Sequence, residues 1–311
     1  MSDPVLAAVL LVPIAVVTLA GVTASANGAL DARTRGAPLR SGFTAPLHEA
    51  ARLLRQQRRT LPGADSLLWR IAGAGIGMVA VLKVVVIPFG DTVFADLPVG
   101  LVWFNAMDVL LWALWWLLGW GANSGWSLVG GYRFLAQALS YEIPLMFALT
   151  APAIGAGSLR MLDIQAAQVD LWFVVWMPLA ALVFAVSVVA FSSWGPFQTA
   201  LGTDVGGGVV AELSGIDRLL VLGGRYAVLV AGAAFSVPLF LGGGAGPVLP
   251  AGVWVVLKTC AVLAGLITLR RLFPTLRPER VAEIAWVVVV PLVLVQLAVV
   301  AVIVGMHGGA L

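Results

Sequence analysis

Apolar residues run through this chain in long stretches, separated by short segments that hold most of its charge. A helix that crosses a membrane needs about 20 mostly apolar residues. Eight windows meet that requirement, at about 4–24, 71–89, 99–120, 128–155, 171–191, 219–241, 252–269 and 285–306. No soluble domain fits between them, and no internal repeat is visible. The expected fold is all-α: one polytopic membrane helix bundle over residues 1–311, with about eight transmembrane helices. One segment outside the windows keeps a helical period. From Pro46, the residues Leu47, Ala50, Ala51 and Leu54 form a stripe, while His48, Glu49, Arg52 and Arg55 fall off it. This predicts an amphipathic helix opened by Pro46 and lying on the membrane surface. The pattern suits both a helix that only lies on the surface and one that also lines a partner or ligand site.

Charge supplies the orientation. Loop 26–70 holds Arg33, Arg35, Arg40, Arg52, Arg55, Arg58, Arg59 and Arg70, and the seventh loop holds Arg270, Arg271, Arg277 and Arg280. The fifth, 192–218, carries Arg218, whereas the even-numbered loops carry a single basic residue, Arg160. Basic loops stay on the cytoplasmic side, so both termini are expected outside a cell membrane. The 4–24 run precedes Ala24-Ser25-Ala26, which resembles a cleavage site, but its start carries Asp3 and no basic residue. It therefore reads as the first span rather than a signal peptide. In the fifth loop, Gly206-Gly207-Gly208 needs a neighbour if it is to be ordered; Gly242-Gly243-Gly244 reads as a plain turn.

Composition agrees with a lipid solvent: 61% of the 311 residues are hydrophobic and 11% charged, and mean hydropathy is +1.02. A soluble domain is about a quarter charged. The formal net charge of +3 belongs to the orienting loops and is no signal for nucleic acid. One cysteine, Cys260, cannot hold an iron–sulfur cluster, so a redox cofactor is expected on a partner. His48 and His307 are far apart in sequence, and no metal site is expected.

Ionisable residues within spans are costly and are functional candidates. Six stand out: Lys83, Asp108, Arg133, Glu142, Arg225 and Lys258. Arg133, Arg225 and Lys258 lie near enough to span ends to reach the interface. Lys83 and Asp108, on consecutive antiparallel spans, are expected to form an ion pair that offsets both desolvation costs. Glu142 follows Gln137, Ser140 and Tyr141 and precedes Pro144, which loosens the helix ladder. A glutamate among hydroxyl and amide groups suits a proton relay, in preference to a purely structural hydrogen bond.

Several segments resemble the H subunit of respiratory complex I, subunit 1 in mitochondria. Trp120-Gly121-Ala122-Asn123-Ser124, Ser127-Leu128-Val129-Gly130, Arg133 and Gln137 look like that family's G-W-x-S-N…S-L-L-G-x-x-R-x-x-A-Q. Ser140-Tyr141-Glu142 matches S-Y-E, and Glu212-Leu213-Ser214-Gly215 resembles E-Y-S-G. Leu239-Phe240-Leu241-Gly242-Gly243 resembles L-F-x-G-G, Leu257-Lys258-Thr259 resembles L-K-T, and Arg35, Pro38, Arg40 and Gly42 fit R-x-G-P-N-x-V-G. The resemblance implies a membrane subunit that forms part of a quinone chamber and couples quinone reduction to proton translocation. It implies no cofactor on this chain, with quinone as substrate. The implied partners are iron–sulfur subunits of a peripheral arm and antiporter-like membrane subunits. Arg35, Arg40, Glu49, Asp204 and Glu212 would lie near the quinone, and Arg133, Tyr141, Glu142 and Lys258 on the proton path. Related subunits serve ferredoxin- and hydrogenase-linked membrane complexes, and a structural anchor with a decayed quinone site is a third reading.

The departures mark a divergent member. Where the family's fifth loop reads P-F-D-x-x-E-A-E-x-E-L, this chain has Pro196-Phe197-Gln198-Thr199-Ala200-Leu201-Gly202-Thr203-Asp204-Val205. Arg225 stands where the family usually has Glu, and Lys83 and Asp108 are absent from the usual pattern.

Overall fold

The computed structural model describes residues 4–59, 61–202 and 207–306, with side chains from Leu10 onward. The fold is a polytopic bundle of helices. Its first helix, α1 (Pro4–Thr34), runs ten residues past the predicted end at 24. Hydropathy stops where the chain turns polar at Asn27 and Asp31; the helix does not, because nothing there breaks its ladder. After a short turn comes α2 (Leu39–Arg55), the predicted amphipathic helix. Pro46 lies inside it rather than at its start. Proline has no N–H to give the carbonyl of Gly42, and that carbonyl instead packs on α1. A Cβ at Gly28 would sit 2.3 Å from the Gly42 oxygen, and one at Gly42 2.2 Å from the Gly28 oxygen. Only glycine lets these main chains meet so closely.

The next spans are α3 (Ser66–Val84), α4 (Gly100–Gly121) and α5 (Gly125–Ala156). Asp65 caps α3 by accepting from the N–H groups of Leu67 and Leu68. At the far end the chain is clamped by Asp96, which pairs with Arg160, and by the Leu101 N–H on the Leu159 carbonyl at 3.1 Å. The Arg160 guanidinium holds the Asp96 carboxyl below the usual carboxylate range.

The window at 171–191 is not one helix. After the short α6 (Met161–Ala166), it divides into α7 (Phe173–Trp176) and α8 (Pro178–Phe191). Pro178 forces the break, since it cannot continue the ladder of α7 yet suits the first turn of α8. Alone, the 14 residues of α8 reach about 21 Å, short of the ~30 Å apolar layer. Its exposed first turn is satisfied from another span: the Ala180 N–H donates to Gln296 Oε1 at 2.6 Å.

The remaining spans are α9 (Gly215–Phe240), α10 (Ala251–Leu272), and a last one built from α11 (Pro278–Ile284), a π-helical turn (Ala285–Val289) and α12 (Val290–Met306). The π turn ends two residues before Pro291, where the Val290 N–H bonds the Ala285 carbonyl, and its wider ladder accommodates the donor that the proline lacks. Among the described residues, seven helices are long and apolar enough to cross a membrane, and α8 is a shorter apolar helix. The chain is thus an integral membrane protein. Its centre is α9, packed on α1, α3, α8 and α10. Of the most apolar window of α9, 72% is buried inside the protein, against 11% for the last span, which therefore lies at the edge of the bundle. Aromatic rings fill the middle: Phe104 stacks on Phe235 with centroids 3.7 Å apart, and Phe184 and Phe191 close around them.

Candidate functional site

Three helices bring charge into the middle of the bundle. Antiparallel packing of α3 on α4 sets Lys83 beside Asp108, and Nζ lies 2.5 Å from Oδ1. Both side chains are wholly out of solvent. The ammonium also stands over the rings of Phe104, at 4.2 Å, and Phe191, at 3.9 Å. Cation–π attraction of this kind strengthens where water is absent. One turn before Asp108, on the same face of α4, Asn105 Nδ2 donates to Glu142 Oε1 of α5 at 2.9 Å. Glu142 Oε2, Asp108 Oδ2, Asn105 Oδ1 and the Tyr141 hydroxyl are buried without a hydrogen-bond partner in the protein. Gln137, one turn below Tyr141, donates to the Ala190 carbonyl at 2.8 Å, which ties α5 to the end of α8. Lys83, Asp108, Asn105, Tyr141 and Glu142 therefore form one buried polar group.

A second group lies at the basic end. Arg59 Nη1 is 3.0 Å from Glu212 Oε2, and Ser124 Oγ donates to Glu212 Oε1 at 3.1 Å. Arg58 lies 3.4 Å from Asp217, and the Arg59 N–H donates to Ser214 Oγ at 2.6 Å. The first and fifth loops are thus tied to each other and to the start of α5. The loop also rests on α5 through Gly130, where a Cβ would lie 2.5 Å from Val209 N and 2.7 Å from the Ala200 carbonyl. Gly208 is packed between these stretches of chain, so a neighbour orders this part of the glycine run. Arg133 is half-buried, with Nη1 3.5 Å from the Thr199 carbonyl. Glu49 pairs with Arg52 at 2.6 Å on the exposed side of α2; that hydrogen bond holds its carboxyl below the usual carboxylate range. Arg35 and Arg40 are exposed, and Arg35 Nε donates to the Asp31 carbonyl at 3.1 Å. Asp204 lies outside the described residues.

Lys258 stands apart from both groups. Its Nζ donates to the carbonyls of Leu241, Gly243 and Ala245 at 2.7, 2.9 and 2.8 Å. All three ammonium protons are used, and the ring of Trp172 covers the charge at 4.2 Å. The segment at Gly242–Gly244, expected to be a plain turn, is a lysine-centred knot that closes α9 onto α10.

The sequence did not foretell every contact at these sites. Asn105 was hidden in an apolar window, although an amide there is itself uncommon. Arg225 is buried and donates from Nε to the Ser192 carbonyl at 3.3 Å and from Nη2 to that of Ser193. It thereby neutralises the negative end of α8. Arg225 and Arg270 both lie over Trp194, at 4.1 and 4.4 Å. Arg270 and Arg271 in turn grip Asn27 at 2.7 and 3.1 Å, and Arg271 grips Asp31 at 2.6 Å. Beside them, Asn27, Trp194, Tyr226 and Arg270 help line a cavity of about 10 Å³, no larger than one water.

These features define a polytopic membrane protein with a charged interior and with its basic first loop locked to its fifth loop at one end. The chain belongs to the NADH dehydrogenase family, whose family model matches residues 5–301. It is 36% identical over 269 residues to the first-numbered H subunit of NADH-quinone oxidoreductase from Geobacter metallireducens, covering 83% of this chain and 82% of that one. It is 35% identical over 271 residues to the corresponding H subunit from Geobacillus kaustophilus, covering 85% and 81%. With the second-numbered H subunit from Cereibacter sphaeroides (strain ATCC 17029 / ATH 2.4.9) it shares 36% identity over 265 residues, covering 84% and 83%.

Proposed function

We propose that this chain is the H-type membrane subunit of a complex-I-like quinone oxidoreductase in a cell membrane. It forms part of the wall of a quinone chamber at its basic, cytoplasmic end, and carries protons through its interior. Its similarity to NADH-quinone oxidoreductase H subunits over most of both chains supports the assembly. The observation that carries the proton role is Glu142, buried in the middle of the bundle with one oxygen on Asn105 and the other unpartnered. An unpaired acid in a membrane interior is too costly to keep without a task.

The chain binds no cofactor of its own in this reading; iron–sulfur partners bring electrons to the quinone. The joined first and fifth loops, with Arg59, Glu212, Ser124 and Asp217, form this subunit's share of the chamber wall, and Arg35, Arg40, Glu49 and Asp204 surround it. Tyr141 and Glu142 carry the proton, Arg133 links them to the fifth loop, and Lys258 holds the outer end rigid. Both termini face outside. An NADH-linked or related quinone enzyme is favoured over a hydrogenase-linked complex, because the relatives are named as NADH-quinone oxidoreductase subunits.

The test is purification of the tagged chain from its own host in mild detergent, with identification of partners and an iron–sulfur EPR spectrum. Co-purifying subunits that carry clusters and reduce quinone support the assignment. A chain that purifies alone from well-solubilised membranes, without cluster signal, overturns it.

A further inference from the structure

We infer that Asp108, held by Lys83, is a second proton-carrying acid beside Glu142, so that one proton is shared by two carboxylates under a fixed positive charge. This rests on the proton role proposed above. Donors and acceptors give the first argument. Asp108 Oδ2, Glu142 Oε2 and Asn105 Oδ1 are three buried acceptors without a donor; the buried donors beside them are the Tyr141 hydroxyl and, one turn along α4 from Asp108, the Trp112 indole N–H. Buried acceptors are ordinarily satisfied; three acceptors outnumber these two donors, and a carboxyl proton supplies the third. Charge gives the second. One ammonium and two carboxyls, all buried, are neutral together only when a single carboxyl is protonated, and burying net charge is expensive.

The third argument is the seat of Lys83. Two phenylalanine rings hold its ammonium at 3.9 and 4.2 Å, so it is not dependent on Asp108 alone for compensation. Asp108 can therefore be neutralised without losing the cation beside it. The charged or titratable groups acting on this acid are Lys83 from α3 and Tyr141 and Glu142 from α5. The cluster side chains from α8 and α9 are Phe184, Phe191 and Phe235. In the transfer step, the O–H bond of Glu142 breaks and an O–H bond on Asp108 forms; Lys83 keeps its three protons, and the net charge stays zero. Reversal restores the start.

The experiment measures protons moved per quinone reduced, in the assembled complex in proteoliposomes. K83M/D108N removes both charges and leaves none unpaired. It is expected to reduce quinone while the proton ratio falls at least twofold. An unchanged ratio, with E142Q lowering it, overturns the inference and leaves the pair a structural clamp. If E142Q also leaves the ratio unchanged, the proton role proposed for Glu142 falls, and this inference with it. Should the double variant fail to assemble, D108E decides. It keeps the charge but moves the carboxyl by one methylene, and is expected to shift the pH dependence of the proton ratio; an unchanged profile overturns the inference.

Discussion

Removing Lys83 from the Lys83–Asp108 pair leaves the carboxylate stranded in the interior. At 2.5 Å, and with an effective dielectric of about 20, the gross attraction is roughly 7 kcal/mol. Desolvation of two ions takes back most of it, so the pair contributes little net stability compared with apolar side chains. Its loss on one side is another matter: Lys83→Met alone is expected to destabilise by about 3–5 kcal/mol, because it takes the one cation from two buried carboxyls, and Asp108→Asn by less, because the rings of Phe104 and Phe191 and the nearby Glu142 carboxyl still compensate the ammonium. The double variant leaves no such charge, and is expected within about 2 kcal/mol of wild type. The assay is a double-mutant cycle on unfolding of the purified protein in mixed micelles. Single losses that simply add in the double variant would mean that the two groups do not compensate each other, and the pairing energetics would be wrong.

Gly28→Ala is expected to force α1 from α2, because its Cβ would lie 2.3 Å from the Gly42 carbonyl oxygen, and to lower stability by about 1–3 kcal/mol. Gly21→Ala, where a Cβ meets nothing within 4 Å, is the control and leaves the thermal midpoint unchanged or raised. Gln296→Leu removes the acceptor of the Ala180 N–H; hydrogen exchange at that amide should quicken, with about 1–3 kcal/mol lost. The pair of Asp96 and Arg160 makes the clamp between the third-to-fourth-helix loop and the start of α6 sensitive to acid. A folded-state pKa below the ordinary value means that the stabilisation is present above the unfolded value and is lost as pH falls through the folded one. Proteolysis around residue 96 should therefore rise on acidification in wild type and be pH-independent in Asp96→Asn.

Hydropathy reads how long a segment is apolar, and that was enough for the bundle and for most of its spans. It could not see that α1 continues past Asn27, where polar residues end the apolar run but not the backbone ladder, or that Pro178 divides the fifth window, which a count of apolar residues passes over; nor could it see which neighbour satisfies the first turn of α8. Gln296 does so for α8 from 116 residues away. Lys83, Asp108 and Glu142 were visible as charges in apolar runs. Asn105, which touches Glu142, was not, because an amide carries no charge to count and its partner lies on another span. Lys258 shows the opposite case. Its charge stood out in the sequence, yet its three bonds to backbone carbonyls give it work in closing a turn. Pro46 was read as a helix start by its usual preference, and the close crossing at Gly28 and Gly42 overrode it.

Glu142 is the residue on which the proton role stands or falls within an assembled quinone-reducing complex. The most direct measurement is proton transfer per quinone reduced by that complex in proteoliposomes, wild type against Glu142→Gln. Glutamine keeps the shape and can still bond Asn105, so assembly should be preserved while proton transfer falls sharply. Full assembly with an undiminished proton ratio would mean that Glu142 carries no proton.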